Sequence, residues 1–238
     1  MPSATAKSYF WKAVRDSFPF VFVAGPFGLL FGVLAAEAGL NLVEIMSFTV
    51  TVFAGSAQFT ALQLLREEAP TLIILASALA VNLRVAMYSA SLTPYLGAAP
   101  FWQRVLAAYL TVDQSYSLSI VQYEKEPQMS LPQRMAYFFG ANGLIAPVWY
   151  SATLVGALVG AQIPESWALD FAMPIAFLAM IGPMLRTLAH VVAALVSIVA
   201  AILAVGIPYN LGLLVAGVAA MMAGAQMELW LKRRGRFA

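Results

Sequence analysis

The chain has 238 residues, 62% of them hydrophobic and 10% charged, and a net charge of +2. With a mean hydropathy of +0.83 it lies far from soluble domains, which average about 45–50% apolar and about 25% charged residues. The 13 basic and 11 acidic side chains cannot cover a water-facing surface, which excludes a soluble enzyme, a nucleic-acid binder and a disordered tail.

A bilayer core about 30 Å thick takes about 20 mostly apolar residues per helix. The aromatic and basic run from Lys7 to Arg15, within residues 1–17, predicts a short interfacial helix. No small-residue cleavage site follows a short apolar core, so the first span is expected to stay in place. Apolar stretches follow at 18–37, 43–65, 70–95 and 102–122, then a polar connector at 124–131. Four more lie at 132–160, 166–185, 187–206 and 209–231, before a basic tail at 232–238. The expected fold is an all-α polytopic membrane protein. It has about eight hydrophobic segments in two four-segment halves, 18–123 and 132–231, with segments two and six as candidates for broken or re-entrant elements.

Lys and Arg favour the cytoplasmic side. With eight crossings and a cytoplasmic N-terminus, eleven bases lie inside, Arg104 lies outside and Arg84 falls within a span. Making segments two and six re-entrant leaves nine inside and three outside, a poorer fit. Both arrangements put the two termini in the cytoplasm. Gly28 and Gly32 recur as Gly156 and Gly160, and Asn82-Leu83 as Asn210-Leu211, all at an offset of 128. Asn82 is mid-span whereas Asn210 opens one, so an internal repeat stays open. The glycine pairs themselves read as close helix packing.

Ionisable groups in hydrocarbon are costly and mark sites worth explaining. Arg84 lies mid-segment, and Ser77, Arg84, Tyr88, Ser91 and Tyr95 follow at steps of 7, 4, 3 and 4, which places them on one helical face. Arg84 reads either as a staple to a carboxylate or as the receiver of an anionic ligand group, for which its planar fork is suited. Asp113 is the obvious partner, inside a cluster of hydroxyls from Tyr109 to Ser119 that either lines a wet path or marks a loop. In segment two, Gly55 and Ser56 can interrupt a helix and Gln58 is an amide at unusual depth. Segment six carries Pro174, Gly182 and Pro183. Interrupted helices offer free N–H and C=O groups to a ligand. Phe53, Phe59 and Met87 are candidates for an apolar pocket. Asp170 opens segment six near an interface, and His190 reads as interfacial. Asp113, Asp170 and His190 are the candidates for proton coupling.

Together these residues resemble the AzlC family of branched-chain amino acid permeases. The likeness rests on Pro26-Phe-Gly28, Phe53-Ala-Gly-Ser-Ala-Gln-Phe59, Asn82-Leu-Arg84 with Tyr88 and Ser91-Leu92, Thr111-Val-Asp113 and Leu169-Asp-Phe171. It runs from about Phe10 to the last span. The resemblance implies export of leucine, isoleucine and valine, with methionine a further candidate, across a bacterial inner membrane. It also implies a small AzlD-type membrane subunit as partner. Val85 and Gln114 stand where the family often has His and an acid, which removes two titratable groups from the expected path.

On this reading the substrate-binding candidates are Gly55, Ser56, Gln58, Asn82, Arg84, Tyr88 and Asp113. No cofactor or metal is expected, since the chain has no cysteine and one histidine. The sequence carries no phosphate-binding Gly-x-x-x-x-Gly-Lys-[Ser/Thr], no His-Glu-x-x-His and no Gly-x-Ser-x-Gly, so neither ATP-driven transport by this chain nor an intramembrane enzyme is expected. A channel for another small solute and a non-transporting scaffold subunit are the alternatives.

Overall fold

The computed structural model describes residues 5–160, 185, 187–207 and 211–234, and the described residues form helices with no strand. They fall into two compact units, one within 1–62 and 81–167, the other within 63–80 and 168–238. Among the described residues, three helical stretches are long and apolar enough to cross a bilayer, 6–37, 71–96 and 131–160.

In the first unit, α1 (Ala6–Ser17) starts where the Thr5 hydroxyl accepts the Ser8 N–H at 3.3 Å. A 3₁₀ turn at Phe18–Phe20 leads into α2 (Val21–Glu37). Gly39, at φ +85°, closes α2: its N–H bonds Ala36 C=O at 3.0 Å and the Leu40 N–H bonds Ala35 C=O at 3.2 Å. Asn41 then caps α3 (Leu42–Thr51), exchanging bonds of 3.0 and 2.8 Å with Glu44. There follow α4 (Gly55–Arg66), α5 (Thr71–Leu96), α6 (Phe101–Tyr109), α7 (Asp113–Lys125) and α8 (Leu131–Gly160), of which residues 63–80, the end of α4 and the start of α5, are counted with the second unit.

The 30-residue α8 is the mast of this unit. Along its first half lies α1, which continues through the 3₁₀ turn into α2 as one helical stretch, with Phe10 against Gly140 and Gly143 and the Tyr137 hydroxyl bonded to Asp16 at 2.8 Å. Along its second half α2 runs parallel, and here the two glycine pairs meet. A Cβ on Gly28 would lie 2.9 Å from the Trp149 carbonyl oxygen, and one on Gly160 would lie 2.7 Å from Val33 Cα. At Gly32 and Gly156 a methyl would collide with the carbonyls of Thr153 and Leu29. Backbone packs on backbone, the use expected for these pairs.

Segment two breaks at residues 52–54, and its two helices double back. Thr49 bonds Gln58 across the break, and Phe48 and Phe59 both pack on Phe31, at 5.6 and 5.7 Å between ring centroids. Pairs 48/59 and 49/58 are what a helical hairpin produces.

Segment four differs from expectation. Rather than one span over 102–122, it is broken at residues 110–112 into α6 and α7, which also form a hairpin. Asp113, Tyr116 and Tyr123 of α7 sit beside Arg84, Ser91 and Tyr95 of α5, so α7 runs parallel to α5 and α6 must run back against it. The physical reason is local. The Ser115 hydroxyl accepts the Val112 N–H at 3.0 Å and reaches the Leu110 and Val112 carbonyls at 3.2 and 3.1 Å. Thr111 Oγ1 donates to the Ala107 carbonyl at 2.7 Å. Short polar side chains thus satisfy the backbone groups that a break sets free.

The hairpins open at opposite ends of α8. The first follows α2, whose Val33 lies beside Gly160, and the second opens near Tyr95, which lies under the Arg134 guanidinium at 5.3 Å.

In the second unit, Thr187 caps α9 (Leu188–Leu203) by accepting the His190 N–H at 3.3 Å, and α10 (Leu211–Arg233) packs on α9 with Gly224 against Ala193. Segment six, with Asp170, Pro174, Gly182 and Pro183, lies outside the described residues, as does Asn210.

Candidate functional site at two hairpin tips

Arg84 sits at the middle of α5 and joins the two tips. Its Nη2 donates to Ser56 Oγ at 2.5 Å, in the first turn of α4, and its Nη1 lies 3.1 Å from Asp113 Oδ2, the first residue of α7. The side chains of Arg84 and Asp113 are 24% and 34% exposed, a half-dry setting in which a charge pair is stronger than in water. The third face of the guanidinium, Nε, is buried and has no partner among the described residues.

Both tips present a helix N-terminus. In α4 the first backbone bond runs from the Gln58 N–H to Ala54 C=O at 3.0 Å, so the helix gives Gly55, Ser56 and Ala57 no acceptor. In α7 the first runs from the Tyr116 N–H to Val112 C=O at 3.0 Å, leaving Asp113, Gln114 and Ser115 in the same condition. Two positive helix ends and one guanidinium therefore face a single carboxylate, and the local field favours a further anionic group.

From Asp113 a polar seam runs between α5 and α7. The Tyr88 hydroxyl donates to Asp113 Oδ1 at 2.9 Å, holding the carboxylate from its second oxygen. The Tyr88 ring stacks on Tyr116 with centroids 4.2 Å apart and planes within 10°, and the Tyr116 and Ser91 hydroxyls are 3.1 Å apart. The face read from the spacing of Arg84, Tyr88, Ser91 and Tyr95 is thus the one turned to α7. Beyond it, the Tyr9 hydroxyl donates to Glu126 Oε2 at 2.5 Å, and Lys12 Nζ donates to Gln122 and Glu126 at 2.7 and 3.3 Å. These bonds tie α1 to the end of α7. They hold the Glu126 carboxyl below the usual carboxylate range, the Tyr9 bond most of all.

Gln58 faces away from Arg84. Two positions beyond Ser56 it lies on the opposite side of α4, fully buried, where its Nε2 donates to Thr49 Oγ1 at 3.0 Å. The same oxygen accepts the Trp149 indole N–H at 2.9 Å, and a Cβ on Gly55 would lie 2.9 Å from the edge of that indole. Gly55 is therefore required by the approach of Trp149. Neither Thr49 nor Trp149 is conspicuous in the sequence, where a threonine and a tryptophan in apolar runs read as filler. Tyr109, at the end of α6, joins the tips from the outside. Its hydroxyl donates to Val50 C=O at 2.6 Å, so the Tyr150 hydroxyl, 2.7 Å away, is the donor to Tyr109. Phe53 packs between these two rings.

Of the other predicted residues, Asn82 lies on α5 with a buried Oδ1 that has no partner among the described residues. Met87 is 66% exposed on a flank of α5, and Phe59 packs on Phe27 and Phe31. His190 belongs to the second unit, exposed on α9. Among the described residues no three His, Asp or Glu side chains gather as a metal site would need.

Comparison with known proteins agrees with the helical, apolar character of the chain. An uncharacterized membrane protein found in two strains of Helicobacter pylori is 25% identical over 176 residues, covering 72% of this chain and 75% of its own. Another uncharacterized membrane protein, from Archaeoglobus fulgidus, is 29% identical over 190 residues, covering 78% and 80%. No solved structure matches. The model of the AzlC protein family matches residues 19–163, a stretch that includes Ser56, Arg84 and Asp113. The chain is a membrane protein that belongs to the AzlC family.

Proposed function

We propose that this protein is a secondary transporter that exports leucine, isoleucine and valine, and methionine as well, across a bacterial inner membrane. In this reading it works with a small AzlD-type membrane subunit. The observation that supports the reading most is the convergence of two half-helix N-termini on the Arg84–Asp113 pair. A zwitterion can part such a pair without stranding either charge. Its carboxylate takes Arg84, including the uncommitted Nε, and the N–H groups of Gly55 to Ala57. Its ammonium takes Asp113, still steadied by Tyr88. A simple amine or a simple acid leaves one partner uncompensated, which is costly in a half-dry site. Phe53, Tyr109 and Tyr150 supply an apolar wall beside the tips. Leucine, isoleucine and valine differ by a methylene or a branch, worth about 1–3 kcal/mol in such a pocket, so the class is accepted together.

Charge placement supports a cytoplasmic N-terminus. Apart from Arg84, the bases of the first unit are Lys7, Lys12, Arg15, Arg104, Lys125 and Arg134. Five of them lie on α1, on the end of α7 or at the start of α8. Arg104, expected outside from eight crossings, comes to the same end because segment four turns back beside the end of α5. That end is assigned to the cytoplasm by the positive-inside rule. Asp113 is the first candidate for proton coupling, being the acid at the tips, with Asp170 and His190 behind it.

The closed Arg84–Asp113 pair also favours a second reading, a scaffold subunit in which the pair is only a staple. Exchange of labelled leucine in proteoliposomes, with and without a co-expressed small membrane partner, separates the two. Exchange competed by isoleucine and valine but not by glutamate or lysine is expected. Folded protein that exchanges nothing in either sample, and gains no thermal stability from leucine, would overturn the transporter reading.

A further inference from the structure

We infer that the Thr49 hydroxyl is a pin that sets the position of the first tip, so that Thr49, Trp149 and Gln58 act as positioning residues for substrate affinity. The inference rests on the transporter reading for its consequence but not for its geometry. Three helices meet at one oxygen atom: Thr49 Oγ1 on α3 accepts Gln58 Nε2 from α4 at 3.0 Å and Trp149 Nε1 from α8 at 2.9 Å. Both lone pairs are used, and all three side chains are buried.

The pin acts one turn of backbone from the ligand-facing groups. Gln58 is the first residue of α4 whose N–H is bonded, and Gly55, Ser56 and Ala57, with unbonded N–H groups, stand just ahead of it. Gly55 lies directly against the indole edge. The backbone bonds of residues 52–54 are all short-range, from Val52 N–H to Phe48 C=O and Ala54 N–H to Val52 C=O, both at 2.9 Å, and from Gln58 N–H to Ala54 C=O at 3.0 Å, so they do not tie the break to α8. The link through Thr49 is a buried hydrogen-bonded tie from the tip to α8, and α8 is in turn held by the glycine seam to α2. A displacement of about 1 Å at the tip weakens the grip on a carboxylate, an effect carried by affinity rather than by the amount of folded protein.

Thr49→Val keeps the shape of the side chain and removes the oxygen, whereas Thr49→Ser keeps the oxygen. In leucine exchange, Thr49→Val is expected to raise the half-saturation concentration about tenfold with the maximal rate per folded protein within about twofold of the parent. Thr49→Ser is expected to stay within about twofold on both. Trp149→Phe, which keeps most of the ring and loses the N–H, is expected to shift half-saturation about threefold and serves if Thr49→Val does not fold. Because the chain has no cysteine, Ser56→Cys provides a readout independent of transport. Its labelling by a maleimide in detergent is expected to speed up several-fold when combined with Thr49→Val, and not with Thr49→Ser. Unchanged labelling in the Thr49→Val or Trp149→Phe background, or equal effects of Thr49→Val and Thr49→Ser, overturns the pin. A parent protein that exchanges no leucine while labelling still responds to Thr49→Val overturns the transporter reading and leaves the pin standing.

Discussion

The two hairpin tips reach the same arginine but are built by different means. The first, at residues 52–54, is made by volume: a glycine lets an indole approach, and a buried oxygen ties three helices together. The second, at residues 110–112, has no glycine and is made by local hydrogen bonds, the Ser115 and Thr111 hydroxyls closing on nearby backbone. One tip presents a hydroxyl and free N–H groups, the other a carboxylate. The difference shows that a re-entrant turn in an apolar chain needs its freed backbone groups satisfied, and that either tertiary packing or self-capping meets that need.

Breaking the meeting point should have the largest effect. Arg84→Ala leaves the tips unlinked and Asp113 facing no cation. Loss of one partner from a desolvated pair costs about 3 kcal/mol or more, so leucine exchange per folded protein is expected to fall at least about a hundredfold. Arg84→Lys restores charge without the fork and should recover only part of it. Normal exchange by Arg84→Ala would show that the tips are not the site.

Next comes the mast. Gly156→Ala puts a methyl into the Leu29 carbonyl and is expected to cost about 3 kcal/mol by overpacking, read as a lowered unfolding midpoint in detergent. Since α8 carries Trp149, affinity should weaken through the first tip.

The tips themselves can then be compared. Gly55→Ala should destabilise by about 2 kcal/mol, as its Cβ would sit 2.9 Å from the indole. Ser115→Ala should lose about 1 kcal/mol, the usual value of a helix cap. Denaturation of both variants tests the contrast, and a larger loss for Ser115→Ala would reverse it.

The smallest effect is expected at Glu126, outside the tips. Its folded pKa lies below its ordinary value of about 4.3. Its anchoring of α1 is therefore complete above about that pH and is lost as pH falls through the lower folded value. Unfolding midpoints of the parent and Glu126→Gln should differ at neutral pH and converge on acidification. A gap that persists at pH 3 would assign the contact to packing.

How much of this was legible in the sequence follows the same division. Gly55 and Ser56 mark the first break because glycine and serine interrupt helices, and Arg84 stands out as a charge among apolar neighbours. The face shared by Arg84, Tyr88, Ser91 and Tyr95 follows from helical spacing alone. The second break is only half legible: the hydroxyl cluster from Tyr109 to Ser119 leaves a loop open as one reading, but Leu110-Thr-Val112 reads as apolar and β-branched, and the hydroxyls that make the turn bond to backbone groups that no spacing rule reveals. Gln58 drew attention as a polar group at depth, yet its two-residue offset from Ser56 turns it to the opposite face. Trp149 was invisible for a different reason: its role depends on Gly55, almost a hundred residues earlier, and on a glycine seam that brings α8 within reach.

The hairpins also dictate an order of assembly. Their four helices have 10, 12, 9 and 13 residues, about 14–20 Å each at 1.5 Å per residue, too short for any one to be threaded through a bilayer by itself. Their tips expose backbone that lipid does not tolerate unless protein surrounds it. For the first tip that protein is α8, through Trp149, and α8 leaves the ribosome after both hairpins. The nascent chain must therefore hold these segments near the membrane surface or in provisional pairings until Gly156 and Trp149 arrive. Substitutions in the glycine seam should accordingly show as failed insertion, and as degraded newly made chains, before they show as a weakened transporter.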